Sequence, residues 1–194
     1  MRSIKDNAIK MSGHVMSRRD FLTAGLAVTA ACLFPNKALA SVPKVFLHER
    51  ALSFYNTHTG EKVKAVYWSE GTYLPQALTD INHILRDHRT GEEKKIDKGL
   101  FELLFDLSRK LESTEPFHII SGYRSPKTNS ILNAKSRGVA RNSLHIKGKA
   151  IDIRLPGHEL KTLKRAARDL RRGGVGYYPS LDFVHVDVGR IRYW

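Results

Sequence analysis

Two stretches in the C-terminal half of the sequence concentrate side chains that bind metals or move protons. The first is Ser143-Leu144-His145-Ile146-Lys147-Gly148-Lys149-Ala150-Ile151-Asp152, with His145 and Asp152 seven positions apart. The second is Asp182-Phe183-Val184-His185-Val186-Asp187. In a strand, side chains alternate between faces, so His185 and Asp187 share one face while Val184, Val186 and Val188 make the other. Asp152 stands between Ile151 and Ile153. An acid on such a core strand is costly unless something pairs with it.

Two imidazoles and a carboxylate with a fourth position open are a common ligand set for catalytic zinc, and the mixed nitrogen and oxygen donors suit it better than calcium or magnesium. His145, Asp152 and His185 are the ligand candidates. Asp182 lies three residues before His185 at a bend, where its carboxylate can face a water in the open position, whose pKa zinc lowers to about 7. Such a carboxylate takes a proton and later returns it to a leaving amine. Any one of these histidines alone is an ordinary hydrogen-bonded residue, and Asp187 alone is an anchor for Arg190 or Arg192. The combination carries the reading, because each buried polar group requires its own partner.

A third phrase, Ser121-Gly122-Tyr123-Arg124-Ser125, follows an apolar run. Arg124 offers a planar fork to a carboxylate or to a carbonyl gaining negative charge. A turn arginine paired with a surface acid is the equal alternative.

These residues need a frame. Residues 51–57 and 62–68 are β-rich runs around His58-Thr59-Gly60-Glu61, a hairpin pattern. Residues 75–87 and 97–112 have helical spacing, the second with Asp97 as its cap. FHIIS at 117–121 reads as a short buried strand. Pro126 to Lys135 opens as a helix with proline in its first turn. Residues 149–155 alternate as a strand, 158–172 form a basic helix ended by Gly173-Gly174, and 175–178 and 183–188 are two last strands. The strands are too closely spaced for regular crossover units. The expected fold is therefore α+β, a small antiparallel sheet with helices packed on one side.

The chain has 194 residues, 33 Lys and Arg against 19 Asp and Glu, and a net charge of +14. Its 41% hydrophobic content supports a real core and excludes a wholly disordered chain. No apolar run reaches the roughly 20 residues of a membrane-spanning helix. One cysteine, Cys32, cannot build a disulfide framework or a cysteine zinc cluster. Residues 1–40 read as an export leader: Arg18-Arg19, a mildly apolar stretch to Phe34, then Ala38-Leu39-Ala40 as a cleavage pattern before Ser41. Removal there leaves residues 41–194 as one domain without cysteine, with 27 basic against 17 acidic residues, or +10. That charge draws the domain toward a polyanion.

The string Ser17-Arg18-Arg19-Asp20-Phe21-Leu22 resembles the bacterial twin-arginine signal, departing from it at Thr23. The three downstream motifs, in type, order and spacing, resemble those of the zinc D-Ala-D-Ala metallopeptidases of the lysostaphin and hedgehog-like superfamily, most of all the murein endopeptidase K branch. The likeness spans residues 45–194. It implies a fold with a small antiparallel sheet and one zinc, with His145, Asp152 and His185 as ligands. It casts Asp182 as general base and Arg124 as a clamp on a substrate carbonyl or carboxylate. Asp187 becomes an orienting partner of His185, and Ser143 a hydrogen-bonding residue near ligand or substrate. Dipeptidase relatives carry Glu where this chain has Asp182, so the shorter acid has to sit nearer the metal.

The resulting expectation is a periplasmic, zinc-dependent endopeptidase that cuts peptide cross-links in peptidoglycan after export by the twin-arginine translocase. Its rivals are a carboxypeptidase trimming free peptide ends and a non-catalytic wall-binding module of the same fold. Nucleic-acid binding through the basic residues 158–172 explains the charge but neither the ligand set nor the leader, so no nucleic-acid partner is expected. Which bond is cut, D-Ala to diaminopimelate or diaminopimelate to diaminopimelate, stays open at this point.

Overall fold

The computed structural model describes residues 49–136 and 138–194. The leader assigned to residues 1–40 lies outside them. Among the described residues thirteen elements follow one another, and eight strands form one sheet. The hairpin is β1 (Glu49–Asn56) and β2 (Lys62–Ser69), extended by the short β3 (Thr72–Tyr73). Then come α1 (Pro75–Ile84), α2 (Lys98–Lys110), β4 (Phe117–Ser121) and α3 (Pro126–Lys135). The last part holds β5 (Ala150–Arg154), α4 (Leu160–Leu170), β6 (Gly174–Tyr178), a 3-10 turn (Pro179–Leu181), β7 (Phe183–Asp187) and β8 (Arg192–Tyr193).

The α+β class stands, and the sheet is larger and more mixed than the sequence pattern conveyed. Its order is β3-β2-β1-β4-β5-β7-β6-β8. The β1/β4 and β6/β8 neighbours are parallel and the rest antiparallel. The two-residue strands β3 and β8 are too short to show a period of two, so no alternation announces them. A parallel pair requires a long connection. Here α1 and α2 supply it between β1 and β4.

Burial follows the faces. Ile151 and Ile153 of β5 and Val184 and Val186 of β7 are fully buried in the apolar cluster. The same cluster takes Ile81 and Ile84 from α1, Leu100, Leu104 and Leu107 from α2, and Leu163 and Ala167 from α4. Asp97 caps α2 as its sequence foretold, its carboxylate accepting the Gly99 amide at 2.9 Å. By contrast, α3 buries polar residues, Thr128 and Asn129. Asn129 Oδ1 accepts from Arg124 at 3.5 Å, so the helix backs the residue that reaches toward Asp152.

Several helix ends fall short of expectation, two of them for reasons the contacts show. Helix α1 stops at Ile84 rather than continuing to 87, because the Leu85 carbonyl is taken by the Tyr123 amide at 2.7 Å and Asp87 turns its carboxylate to the Ser125 amide at 2.9 Å. Helix α4 closes on Arg171 in the left-handed conformation (φ 51°), not on a glycine. Gly173 and Gly174 instead make room for β7, since a Cβ on either would run into Asp187, the last residue of that strand.

Candidate metal centre

Three side chains converge on the polar face of the sheet. Strands β5 and β7 pair in register so that Asp152 lies opposite His185. His145 comes from the tight turn before β5, in which the amides of Ile146, Lys147 and Gly148 reach back to the carbonyls of Ser143, Leu144 and His145. Gly148 makes that turn possible with φ at +64°, and its carbonyl accepts the Asp97 amide at 2.9 Å. All three side chains are buried, and one ligand atom from each lies within 4.8 Å of the others. His145 Nε2 stands 3.2 Å from His185 Nδ1 and 3.3 Å from Asp152 Oδ1, and His185 Nδ1 stands 2.8 Å from that same oxygen.

Hydrogen-bond partners on the far side of each ring fix the tautomers. His145 Nδ1 lies 2.7 Å from the Gly122 carbonyl, which only accepts. The proton therefore sits on Nδ1 and Nε2 presents a lone pair. His185 Nε2 donates to Asp187 Oδ2 at 3.0 Å, so in the neutral ring Nδ1 likewise presents a lone pair. Three acceptor atoms thus point at one spot. A proton there can bridge only two of them, whereas a metal ion satisfies all three, so the donor set fits a cation.

The electrostatics set the charge of each group, and without a cation they favour a second proton on His185. Burial lowers the His145 pKa, and the nearby Asp152 offsets this only in part. Burial works in the same direction on His185, but the carboxylates of Asp152 and Asp187 outweigh it and hold its pKa up at about 8. Burial opposes ionisation of Asp152, yet His145 and His185 overcome it and keep its carboxyl below the usual range. Asp187 is fully buried, and besides His185 it accepts from the Gly174 and Gly189 amides and from Arg192 at 2.7 and 3.1 Å. It is both an anchor for Arg192 and the partner of a cluster histidine.

Arg124 reaches the cluster from the end of β4. Its Nη2 donates to Asp152 Oδ2 at 3.4 Å and to Ser121 Oγ at 3.2 Å, while its Nε is buried without a partner among the described residues. The loop that carries it rests on Asp87, which holds the Ser125 amide, and on Ser125, whose hydroxyl caps α3 by accepting the Thr128 amide at 3.2 Å. Ser143 is buried beside the cleft and accepts the His145 amide at 3.3 Å.

Asp182 is not brought into the cluster. It caps the 3-10 turn in the left-handed conformation (φ 54°), and its exposed carboxylate pairs with Arg154 Nη1 at 2.6 Å. Its neighbours Leu181 and Phe183 do line the cleft, a space of about 230 Å³ in front of the cluster. Arg192, read in the sequence only as a partner of Asp187, lines the cleft too, as do Tyr178 and Trp194, which carried no signal in the sequence. The Trp194 indole stands 5.3 Å from the His185 ring and donates to the Tyr178 hydroxyl at 2.7 Å. Indole is only a donor, so that bond leaves the Tyr178 proton free for another acceptor.

Comparison with known proteins gives the same picture. The family model described as peptidoglycan L,D-endopeptidase MepK matches residues 45–194, and the model for the twin-arginine translocation signal sequence matches residues 15–35. The peptidoglycan L,D-endopeptidase MepK of Escherichia coli (strain K12) is 42% identical over 180 residues, 92% of this chain and 97% of that protein. The protein of the same name from Shigella flexneri matches equally, and a probable one from Haemophilus influenzae is 39% identical over 92% of this chain and 95% of its own length. No solved structure matches. No helix among the described residues is long and apolar enough to cross a membrane. With its family model covering the whole described domain, and His145, Asp152 and His185 gathered at one point, the chain belongs to the MepK family of peptidoglycan endopeptidases.

Proposed function

We propose that this protein hydrolyses peptide cross-links of peptidoglycan in the periplasm, using one zinc ion held by His145, Asp152 and His185. The observation that carries the reading is the convergence of three donor atoms, one from each side chain, at the floor of a cleft. In tetrahedral coordination, zinc bonds of about 2.0–2.2 Å separate the donors by roughly 3.3–3.6 Å. The separations of 3.2, 3.3 and 2.8 Å need only a small outward shift of Asp152 to match. Export by the twin-arginine route brings the folded chain to the wall, and the leader is removed after Ala40.

When bound, zinc supplies Lewis acidity that acidifies water and draws electron density from a carbonyl. The chain does the rest. Asp187 and the Gly122 carbonyl fix the two rings by their outer N–H groups. Arg124 offers its guanidinium to the carbonyl oxygen that gains charge on attack, or to a nearby substrate carboxylate. Asp182 accepts the proton of the attacking water and passes it to the departing amine. Its exposed position at the cleft rim, between two lining residues, allows that traffic once it leaves Arg154.

The relatives' name indicates an L,D bond. The corresponding link in peptidoglycan joins the L-centre of one diaminopimelate to the D-centre of another. Digestion of purified cross-linked muropeptides, read by mass spectrometry, tests this directly. The diaminopimelate-to-diaminopimelate dimer is expected to fall to monomers, the D-Ala-to-diaminopimelate dimer to persist. Chelation is expected to abolish cleavage and added zinc to restore it; cleavage indifferent to chelator overturns the metal assignment.

A further inference from the structure

Helix α4 carries a cationic stripe that the proposed chemistry does not use. Lys161, Lys164, Arg165, Arg168 and Arg171 recur at three- and four-residue spacing, opposite the buried Leu163, Ala166 and Ala167. The five line a groove of about 870 Å³ together with Asp169, Ile191 and Tyr193. Like charges at these spacings cost a helix stability, so the stripe works against the fold. Its local acids do not relieve it: Asp169 pairs with Lys110, and Arg172 beyond the helix pairs with Asp106. None of the five cations takes a carboxylate partner among the described residues. Two of them lie on aromatic rings instead, Lys164 at 4.3 Å over Tyr177 and Arg168 at 4.5 Å over Tyr193.

The groove leads toward the metal centre. Lys164, Arg168 and Tyr193 also line a second depression, which Tyr177 and Trp194 complete. Trp194 in turn lines the cleft and lies beside His185. A track of cations and half-exposed rings therefore runs from α4 to the proposed ligands. A polymer with carboxylates at intervals and flat, weakly polar surfaces between them matches it. The cross-linked wall is such a polymer, with diaminopimelate and D-glutamate carboxylates on every stem peptide and sugar rings along the glycan.

We infer that the α4 groove docks an uncleaved, carboxylate-bearing stretch of the same peptidoglycan whose cross-link is cut at the metal centre. This rests on the peptidase reading above. It locates the attraction of the basic domain on one face rather than over the whole surface.

The test uses the full exported protein and the variant Lys161→Glu/Arg165→Glu, two exposed positions on the stripe. Binding to intact sacculi by co-sedimentation at low salt is expected to fall roughly tenfold and to lose its salt dependence. Turnover of a soluble muropeptide dimer should stay at the wild-type rate, and Lys161→Arg/Arg165→Lys should bind sacculi like the wild type. An unchanged melting transition separates loss of docking from loss of fold. Sacculus binding equal to wild type in the Glu variant overturns the inference. So does a loss confined to phosphatidylglycerol vesicles or to a DNA duplex, which would assign the stripe to a lipid surface or to nucleic acid. A wild-type protein that cuts no muropeptide overturns the peptidase reading alone, and sacculus binding then still decides the groove.

Discussion

Asp152 and His185 face each other across β5 and β7, Oδ1 to Nδ1 at 2.8 Å, and His185 is held from behind by Asp187 at 3.0 Å. The His185 ring is thus fixed between two carboxylates, one on each nitrogen. The front carboxylate is a candidate ligand, while the rear one keeps a proton on Nε2, so that in the neutral ring the lone pair falls on Nδ1.

Replacing the rear carboxylate tests that division. Asp187→Asn keeps the shape but lets the ring adopt the other tautomer, and metal affinity is expected to drop by about 10–100-fold. Competition with a chromophoric chelator measures it. Affinity equal to wild type would mean that Asp187 serves only Arg192 and the two glycine amides.

Asp182 raises a different question, since its carboxylate rests on Arg154 and not on the cluster. If it is the base, Asp182→Asn retains the metal and loses about 10²–10⁴-fold in kcat. Metal content and muropeptide turnover, measured on one preparation, check both halves. A fully active variant would transfer the role to another group.

The contrast between these two acids shows how far the sequence carries. Asp187 and His185 are two apart on a strand, so the period of two places them together with no further information. Asp152 was visible as an acid between isoleucines, and its cost demanded a partner. The position of Asp182 depends on one residue in the left-handed region and on a long-range partner, Arg154, neither of which leaves a periodic trace. Trp194 leaves no trace for a related reason: the two-residue β8 that precedes the indole has no alternation to read. The core helices, by contrast, show their stripes openly, and only their ends moved, where tertiary bonds to Tyr123 and Ser125 override local preference.

Gly122 sits where β4 ends and its carbonyl holds His145 Nδ1 at 2.7 Å. A Cβ there would stand 2.5 Å from the Leu85 carbonyl oxygen, a backbone atom that cannot swing aside. Gly122→Ala must therefore push β4 away from the end of α1. The expected cost is about 1–3 kcal/mol by urea denaturation, together with weaker metal binding because the acceptor of His145 moves. A variant of wild-type stability would show that the Leu85–Tyr123 contact yields without strain.

Asp87 supports the Arg124 loop from below, and its ionisation links the loop to pH. Burial opposes its charge, but hydrogen bonds from Thr128, Ser125 and the Arg89 amide prevail and lower its pKa from 3.8 to about 2. Because the folded value is the lower one, the unfolded chain takes up the proton first as pH falls. The stabilisation is therefore complete well above 3.8 and is lost as pH drops from there through about 2. Asp87→Asn removes the charge at every pH. At pH 7 it is expected to be less stable than wild type by about 1–3 kcal/mol, the cost of leaving buried donors poorly matched. The gap should narrow below pH 4 and nearly close near pH 2, as the wild-type carboxyl protonates and loses the same bonds. Urea denaturation of both proteins across that range measures it. A gap that stays constant with pH would mean that Asp87 acts by shape alone, and the Arg124 loop would then owe nothing to its charge.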